Sequence, residues 1–265
     1  MKIGFIGTGN MGSALATSVS KAMKDAQLFF SDFAKEKAVS LAEKLSGKAT
    51  DNLSMVKECD LVFLGVKPQG LPQLLSEISG EVKKREGSLT LVTMAAGVKT
   101  KTLLSALGED TPVIRIMPNT PVFVGEGVVA YCAKNVKKEI EEAFVSSLSA
   151  AGLVEKIEEE KIDAASALHG CGPAFAYLFV EALADGAVSC GLSRDAALRF
   201  AAQTVKGSAE MVLKTGTHPG ALKDAVCSPG GTTIEGVRTL EEQGFRGAVM
   251  DAVIAAYDRT LELGK

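Results

Sequence analysis

A short run of small and hydroxyl-bearing residues in the last quarter of the chain, 228–233, has the composition of an anion-binding turn. Its two adjacent glycines allow the backbone N–H groups to turn inward, and Pro229 fixes φ and removes one donor. The threonine pair precedes an apolar-periodic helix, and N–H groups at a helix start bind an anion without a charged side chain. We interpret the run as a carboxylate receptor. The alternative is an interhelical turn capped by threonine, because helix starts favour the same residue types. The predicted carboxylate-binding residues are Ser228, Gly230, Gly231, Thr232 and Thr233.

The start of the chain carries a second pattern with chemical meaning. An apolar run at 2–6 leads into glycines at 7, 9 and 12, and helix-favouring residues follow at 13–16. The first glycine permits a tight turn, the second lets the backbone approach a pyrophosphate, and the third lets the helix pack closely on the strand. The pattern predicts a dinucleotide site. Its residues are Ile6, Gly7, Thr8, Gly9, Asn10, Met11 and Gly12.

An acidic residue follows the second predicted strand, 27–30. Asp32 lies about twenty residues beyond the last fingerprint glycine, where an acid contacts a ribose hydroxyl. It is equally placed to be the N-cap of a helix at 35–45. Asp32 repels a 2′-phosphate whereas Lys35 and Lys37 attract one, so NADPH and NADH both remain open as the cofactor.

The composition predicts a globular protein that acts on a small molecule. The chain has 265 residues, of which 46% are hydrophobic, enough for an α/β domain and a smaller partner domain. Its net charge of −3 is interspersed and shows no basic cluster among aromatic residues, which argues against nucleic acid as a partner. With a strand starting near residue 3, and no stretch approaching a membrane span without polar interruption, we expect a cytoplasmic protein without a membrane partner.

The cysteines and histidines give no sign of a metal or disulfide framework. Five cysteines are widely separated without a C-x-x-C pair, and neither of the two histidines has another His or Cys at a metal-binding spacing. We therefore expect no metal.

Apolar runs alternate with amphipathic stretches from residue 1 to about 154, which predicts a parallel sheet flanked by helices. The runs are 61–66, 89–94, 113–117 and 128–131. Ligands of such sheets bind beyond the carboxyl ends of the strands. The segments that follow these ends, 67–69, 95–97 and 118–121, are therefore candidate site loops.

The pattern changes after a charged stretch at 155–161, which we predict to be helical. Four further helices are predicted at 174–190, 194–214, 233–243 and 245–263. About 100 residues of alanine-rich apolar helix carry more apolar surface than a small bundle can bury alone. We therefore predict a homo-oligomer, a dimer at least, formed through this half.

Taken together, the two halves resemble the pyrroline-5-carboxylate reductases over essentially the whole chain. The motifs that carry the resemblance are 5–12, 66–69, 95–97, 115–121, 170–175 and, most specifically, 228–233. The resemblance implies an α/β fold with an N-terminal Rossmann-like domain and a mainly parallel sheet at 1–158. A C-terminal all-α dimerisation and substrate domain would follow at 159–265.

The resemblance also implies a reaction: NAD(P)H reduces a cyclic imine that bears a carboxylate, with NADPH slightly favoured. The Thr233 hydroxyl lies near the ring nitrogen as a hydrogen-bond partner or proton relay, since threonine itself is a very poor acid. By similarity, further cofactor contacts are Val66, Lys67 and Pro68 on the ribose or adenine side, and Ala95, Ala96, Gly97 and Asn119 on the nicotinamide side.

The chain departs from the family pattern in two places. The family often has serine at His169 and Cys171, and we expect His169 to be a packed or capping residue. Phe33 stands where relatives that prefer NADPH often carry a phosphate-binding side chain.

Two other functions compete with the reductase. A β-hydroxyacid dehydrogenase shares the layout but uses a catalytic lysine, and 167–173 contains none. A dinucleotide-sensing protein without catalysis predicts nucleotide binding but no imine-dependent turnover.

Overall fold

The computed structural model describes residues 1–85, 87 and 89–263. Contacts divide the chain into two compact units. The first unit is Met1–Gly170 with Tyr257–Lys265, and the second unit is Cys171–Ala256.

The first unit is built on an eight-stranded sheet with the order β3-β2-β1-β4-β5-β6-β7-β8. All neighbouring strands are parallel except β6 and β7, which are antiparallel, so the predicted mainly parallel sheet is confirmed. The strands are β1 (Lys2–Ile6), β2 (Gln27–Ser31), β3 (Lys48–Ala49), β4 (Leu61–Leu64), β5 (Thr90–Thr93), β6 (Val113–Pro118), β7 (Gly127–Lys134) and β8 (Gly152–Lys156).

Helices cover both faces of this sheet because its central strands are apolar on both sides. One buried cluster contains the stacked rings of Phe5 and Phe63, with Phe144 beside them. A second cluster includes Met55 and Ile78. The helices of this unit are α1 (Asn10–Ala22), α2 (Lys35–Leu45), α3 (Asn52–Glu58), α4 (Leu71–Lys84), α5 (Thr100–Leu107), α6 (Lys138–Ser147) and α7 (Ile162–Ala165).

The charged stretch at 155–161 corrects the sequence prediction. Strand β8 occupies its first two residues, and a 3₁₀ turn, Glu159–Lys161, ends it, so the predicted helix is wrong. Strand β8 is at the edge of the sheet, where charged side chains are tolerated because one side faces solvent. Lys156 pairs there with Glu141 at 2.7 Å.

The second unit is helical, as predicted. Its helices are α8 (Gly172–Ser189), α9 (Arg194–Thr215), α10 (Pro219–Ala225), α11 (Thr232–Glu242) and the part of α12 (Phe245–Leu263) that precedes Tyr257, and of these α10 was not predicted. Its buried apolar cluster consists of Ala184, Ala197 and Ala201. By contrast, large apolar side chains are exposed along its helices, among them Tyr177, Leu178, Phe200, Met211, Leu213 and Met250.

Candidate functional site

The glycine turn between β1 and α1 is shaped by two close backbone approaches. Gly7 has φ 95°, and a Cβ atom added there would lie 2.6 Å from the carbonyl oxygen of Gly65. A Cβ added at Gly12 would lie 2.1 Å from the carbonyl oxygen of Gly7. Side chains are therefore excluded at both positions, and the first turn of α1 packs directly on the end of β1.

Gly9 differs from these two because the space beside it is open. No described atom lies within 4 Å of a Cβ added there. Gly9 is the N-cap of α1, and its carbonyl accepts the first hydrogen bond of the helix, from the N–H of Ser13 at 2.9 Å. The N–H groups that precede Ser13 in the first turn have no carbonyl partner within the helix and point out of its end. An open cradle of N–H groups at the positive end of a helix fits a diphosphate.

Asp32 is turned toward this loop. Its Oδ2 accepts from the N–H and the hydroxyl of Thr8 at 2.7 and 3.0 Å, and its Oδ1 accepts from the N–H of Ala34 at 3.0 Å. Desolvation alone would raise the pKa of Asp32, but these hydrogen bonds and the charge of Lys37 outweigh it and lower the pKa. The N-cap of α2 is Ala34, so the alternative role of Asp32 as N-cap is not observed.

A cavity of about 540 Å³ opens beyond the carboxyl end of β2. The Phe33 ring at its margin is fully exposed. Asn52 lines the cavity, where it accepts from the Ser31 hydroxyl at 2.6 Å and donates to Glu77. The size and position suit the adenosine end of a dinucleotide.

The three other predicted loops, 67–69, 95–97 and 118–121, lie at the same edge of the sheet, because they follow the carboxyl ends of parallel strands. After β4, Lys67 is exposed, and a 3₁₀ turn, Pro68–Gly70, begins beside it. After β5, Ala95 is buried and Gly97 has φ 74°. The structure therefore brings the loops after β1, β2, β4, β5 and β6 to one edge.

Asn119, after β6, is buried and already engaged. Its side-chain carbonyl accepts from the N–H of Val128, and its amide donates to the carbonyl of His169, both at 2.8 Å. The His169 ring in turn donates from Nε2 to the Met117 carbonyl at 2.8 Å, since a carbonyl only accepts. His169 lies in a π-helical segment, Ser166–Gly170, and is partly buried.

The predicted carboxylate receptor forms a tight turn in the second unit. The N–H of Gly231 donates to the Ser228 carbonyl at 3.0 Å, and Gly230 follows Pro229 with φ 66°, the pattern of a type II turn. The turn lies between α10 and α11, as the alternative also requires, but the N-cap of α11 is Gly231, so the threonine cap of that alternative is not observed. Thr232 and Thr233 begin the helix and are exposed, with the first-turn N–H groups beside them.

One buried charge cluster was not predicted from the sequence. Arg115 on β6 is 1% exposed and lies close to Glu159 and Asp163. Its partners are 44 and 48 positions away, so spacing alone could not reveal them. The available signal was an arginine inside an apolar strand, which needs buried partners.

One helical run within the described residues, Glu159–Ser189, is long and apolar enough to cross a membrane by length and composition alone. Its second half, α8, carries Glu181 and Asp185.

Two family models match this chain, one in its N-terminal part and one in its helical C-terminal part. Residues 159–263 match the model for pyrroline-5-carboxylate reductase dimerisation. Residues 2–97 match the model for coenzyme F420-dependent NADP oxidoreductases.

Relatives and solved structures are similar over the whole chain. A pyrroline-5-carboxylate reductase of Methanosarcina acetivorans is 44% identical, covering 100% of this chain and 98% of that protein, and one of Escherichia coli is 41% identical with the same coverage. A reductase structure from Coxiella burnetii has TM-score 0.93 and 32% identity, covering 99% of this chain and 98% of that one. The NADP-bound Plasmodium falciparum enzyme has TM-score 0.86 and 34% identity, covering 100% and 98%. With this fold, these site loops and this extent of similarity, the chain belongs to the pyrroline-5-carboxylate reductase family.

Proposed function

We propose that this protein catalyses the NAD(P)H-dependent reduction of 1-pyrroline-5-carboxylate to L-proline, the last step of proline biosynthesis. The observation that carries the proposal is the 228–231 turn ahead of α11, whose glycine N-cap leaves the helix start open to an anion, in a chain of this family.

The cofactor is assigned to the first unit. The loop from Ile6 to Gly12 holds the pyrophosphate, because Gly9 leaves room for it at the start of α1. Asp32 fixes this loop through Thr8 and lies beside the ribose. The remaining contacts are Val66, Lys67 and Pro68 toward the ribose or adenine, and Ala95, Ala96, Gly97 and Asn119 toward the nicotinamide. When bound, the nicotinamide supplies the hydride that reduces the C=N bond.

The substrate is assigned to the turn of the second unit. Ser228 and the N–H groups of Gly230 and Thr232 bind the carboxylate, and Gly231, whose own N–H closes the turn on the Ser228 carbonyl, lines the same receptor without a side chain. Thr233 hydrogen-bonds the ring nitrogen and passes on a proton from water as the imine carbon gains hydride. The hydroxyl positions the nitrogen and need not be the ultimate acid, because an unperturbed threonine is a poor proton donor.

We further propose NADPH as the favoured cofactor. Desolvation of Asp32 is outweighed by its hydrogen bonds from Thr8 and Ala34 and, to a smaller extent, by the charge of Lys37, which lower its pKa, so the negative field at this corner is partly compensated. Lys35 lines the same cavity, and the similar Plasmodium falciparum enzyme is described with NADP bound.

The assembly and location follow the same assignment. A Rossmann-like domain at 1–158 and a helical domain at 159–265 form a cytoplasmic homodimer or higher oligomer through the exposed helix faces of the second unit.

The test follows nicotinamide absorbance with purified protein, NADPH or NADH, and pyrroline-5-carboxylate. Oxidation that requires the imine supports the reductase, whereas cofactor binding without turnover supports a hydroxyacid enzyme or a sensor.

Replacement of Thr233 by alanine tests the proposed residue role. Loss of an aligned proton-transfer group typically reduces rate by about 10²–10⁴. The matched control is Thr239→Ala in the same helix, whose hydroxyl donates to the carbonyl of Glu235. Near-normal turnover in Thr233→Ala would remove this residue from the mechanism.

A further inference from the structure

Arg115 is a charged residue at the centre of an otherwise apolar strand. Its Nη2 donates to Asp163 at 2.8 Å, and its Nη1 lies 3.6 Å from Glu159. Within the part of the chain that the structure describes, its Nε and Nη1 have no hydrogen-bond partner. Buried ion pairs with unsatisfied donors are weak contributors to stability, and apolar replacements of similar volume are often neutral or stabilising. Stability alone is therefore a poor explanation for this arginine.

The contacts of Glu159 connect Arg115 to a candidate cofactor loop. One Glu159 oxygen accepts from the N–H of Thr100 and the other from its hydroxyl, both at 2.7 Å. Thr100 is the first residue of α5, and the carboxylate lies at the positive end of that helix. Helix α5 follows the loop at 95–97 after only two residues. Glu159 thus fixes the point at which this loop ends.

Asp163 connects the same arginine to a second wall of the site. It lies in α7, which continues into the π-helical segment Ser166–Gly170. His169 in that segment donates to Met117 and accepts from Asn119. Residues 115, 117 and 119 are alternate positions along and just beyond β6. These positions hold the segment from Glu159 to His169 at three successive points.

We propose that Arg115 is a positioning residue that sets the nicotinamide end of the cofactor site. Through Glu159 it fixes the start of α5 and the loop at 95–97, and through Asp163 it fixes the segment that braces Asn119. The proposal rests on the proposed function, which places the nicotinamide at 95–97 and Asn119.

The test compares binding of whole and partial cofactor to Arg115→Met, which keeps much of the side-chain volume and removes the charge. The probes are NADP⁺ and 2′-phospho-ADP-ribose, which lacks the nicotinamide, measured by titration calorimetry on the intact protein. We expect NADP⁺ affinity to fall by about tenfold or more with the affinity for 2′-phospho-ADP-ribose unchanged. We also expect kcat to fall toward the roughly 100-fold loss that a displacement of about 1 Å can cause.

Matched variants separate positioning from folding. Lys2→Met removes the cation of an exposed pair with Glu58. Lys2 begins β1, at the amino ends of the parallel strands and away from the candidate site loops, so this variant should leave both affinities unchanged. Arg115→Lys should restore part of the loss, since it keeps the charge but not the fork of donors. If Arg115→Met does not fold, Glu159→Gln and Asp163→Asn provide the same comparison of probes.

The outcomes separate this proposal from the proposed function. If the wild-type protein turns over the imine and binds both probes, but folded Arg115→Met, Glu159→Gln and Asp163→Asn keep the wild-type ratio of affinities, the positioning role is wrong. Equal weakening of both probes also contradicts it, because that result indicates a general structural role. Absence of imine-dependent turnover in the wild type refutes the proposed function instead.

Discussion

The two units bury their apolar residues to very different extents. The sheet of the first unit is covered on both faces and contains fully buried phenylalanines such as Phe5 and Phe63. The buried cluster of the second unit consists of three alanines, while Tyr177 and Leu178 are each more than 60% exposed. Apolar side chains left exposed on this scale mark an interaction surface.

This difference shows that the two units are stabilised in different ways. The first unit completes its own core, so its carboxyl-edge loops are positioned within one chain. The second unit matches a dimerisation model, and we propose that its core is completed by a second copy. Substitutions at the carboxyl-edge loops of the first unit should therefore act on cofactor binding, whereas those on the exposed apolar helix faces of the second unit should act first on assembly.

The largest effect is expected from Leu178→Glu on α8. A carboxylate placed in an apolar interface is buried without a partner, which costs about 3–5 kcal/mol and weakens the dimer by more than about 100-fold. Light scattering during size-exclusion chromatography measures the change in mass. Phe33→Glu is the control, since Phe33 is a fully exposed apolar residue of the first unit and its replacement should leave the mass unchanged. An unaltered mass for Leu178→Glu would place the interface elsewhere.

An intermediate effect is expected from Gly12→Ala in the first unit. The added Cβ would collide with the Gly7 carbonyl, so we expect a loss of about 1–3 kcal/mol in unfolding free energy and loss of cofactor binding. The matched variant is Gly9→Ala. A Cβ added at Gly9 meets open space, and alanine accepts the Gly9 φ of −66°. Its stability should be unchanged while cofactor binding weakens. Thermal unfolding and NADPH fluorescence titration distinguish the two variants, and equal stability losses would contradict the proposed cradle.

The smallest effect is expected from Asp32→Asn. The two carboxylate oxygens accept separately from Thr8 and Ala34, and in an amide one of these positions becomes an NH₂ group that cannot accept, so we expect a loss of about 1 kcal/mol at neutral pH. Because the pKa of Asp32 is lowered in the folded state, its contribution is complete above the unfolded value of about 3.9 and is lost as the pH falls through the folded value. The stability gap to wild type should therefore shrink below about pH 4.

Urea unfolding from neutral to acidic pH measures this gap. Asp25→Asn, at an exposed position before β2, is the control and should show no gap. A stability gap that grows on acidification would contradict a lowered pKa of Asp32 in the folded state.

The local patterns of the sequence predicted most of both units. The fingerprint strand appears as β1, and the predicted strands and four long helices are all present. These elements are readable because apolar periodicity and glycine placement act over a few residues. The 155–161 prediction failed because charges on an edge strand resemble a solvated helix face.

Features that depend on contacts between distant residues could not be predicted. The antiparallel pairing of β7 depends on the tight connection through the 3₁₀ turn Thr120–Val124, which the sequence does not distinguish from a crossover. The interactions of Arg115 with Glu159 and of Asn119 with His169 join residues 44 and 50 positions apart. Only the fold shows that they share one edge of the sheet.

Whether a second copy completes the second unit is tested most directly on one protein sample across a dilution series. The two measured quantities are the molar mass and the rate of imine-dependent NADPH oxidation. We expect a mass of at least two chains, 27.6 kDa each, and specific activity that falls as the assembly dissociates. Full activity from a protein with the mass of one chain would contradict the account, because the second unit would then be complete without a partner.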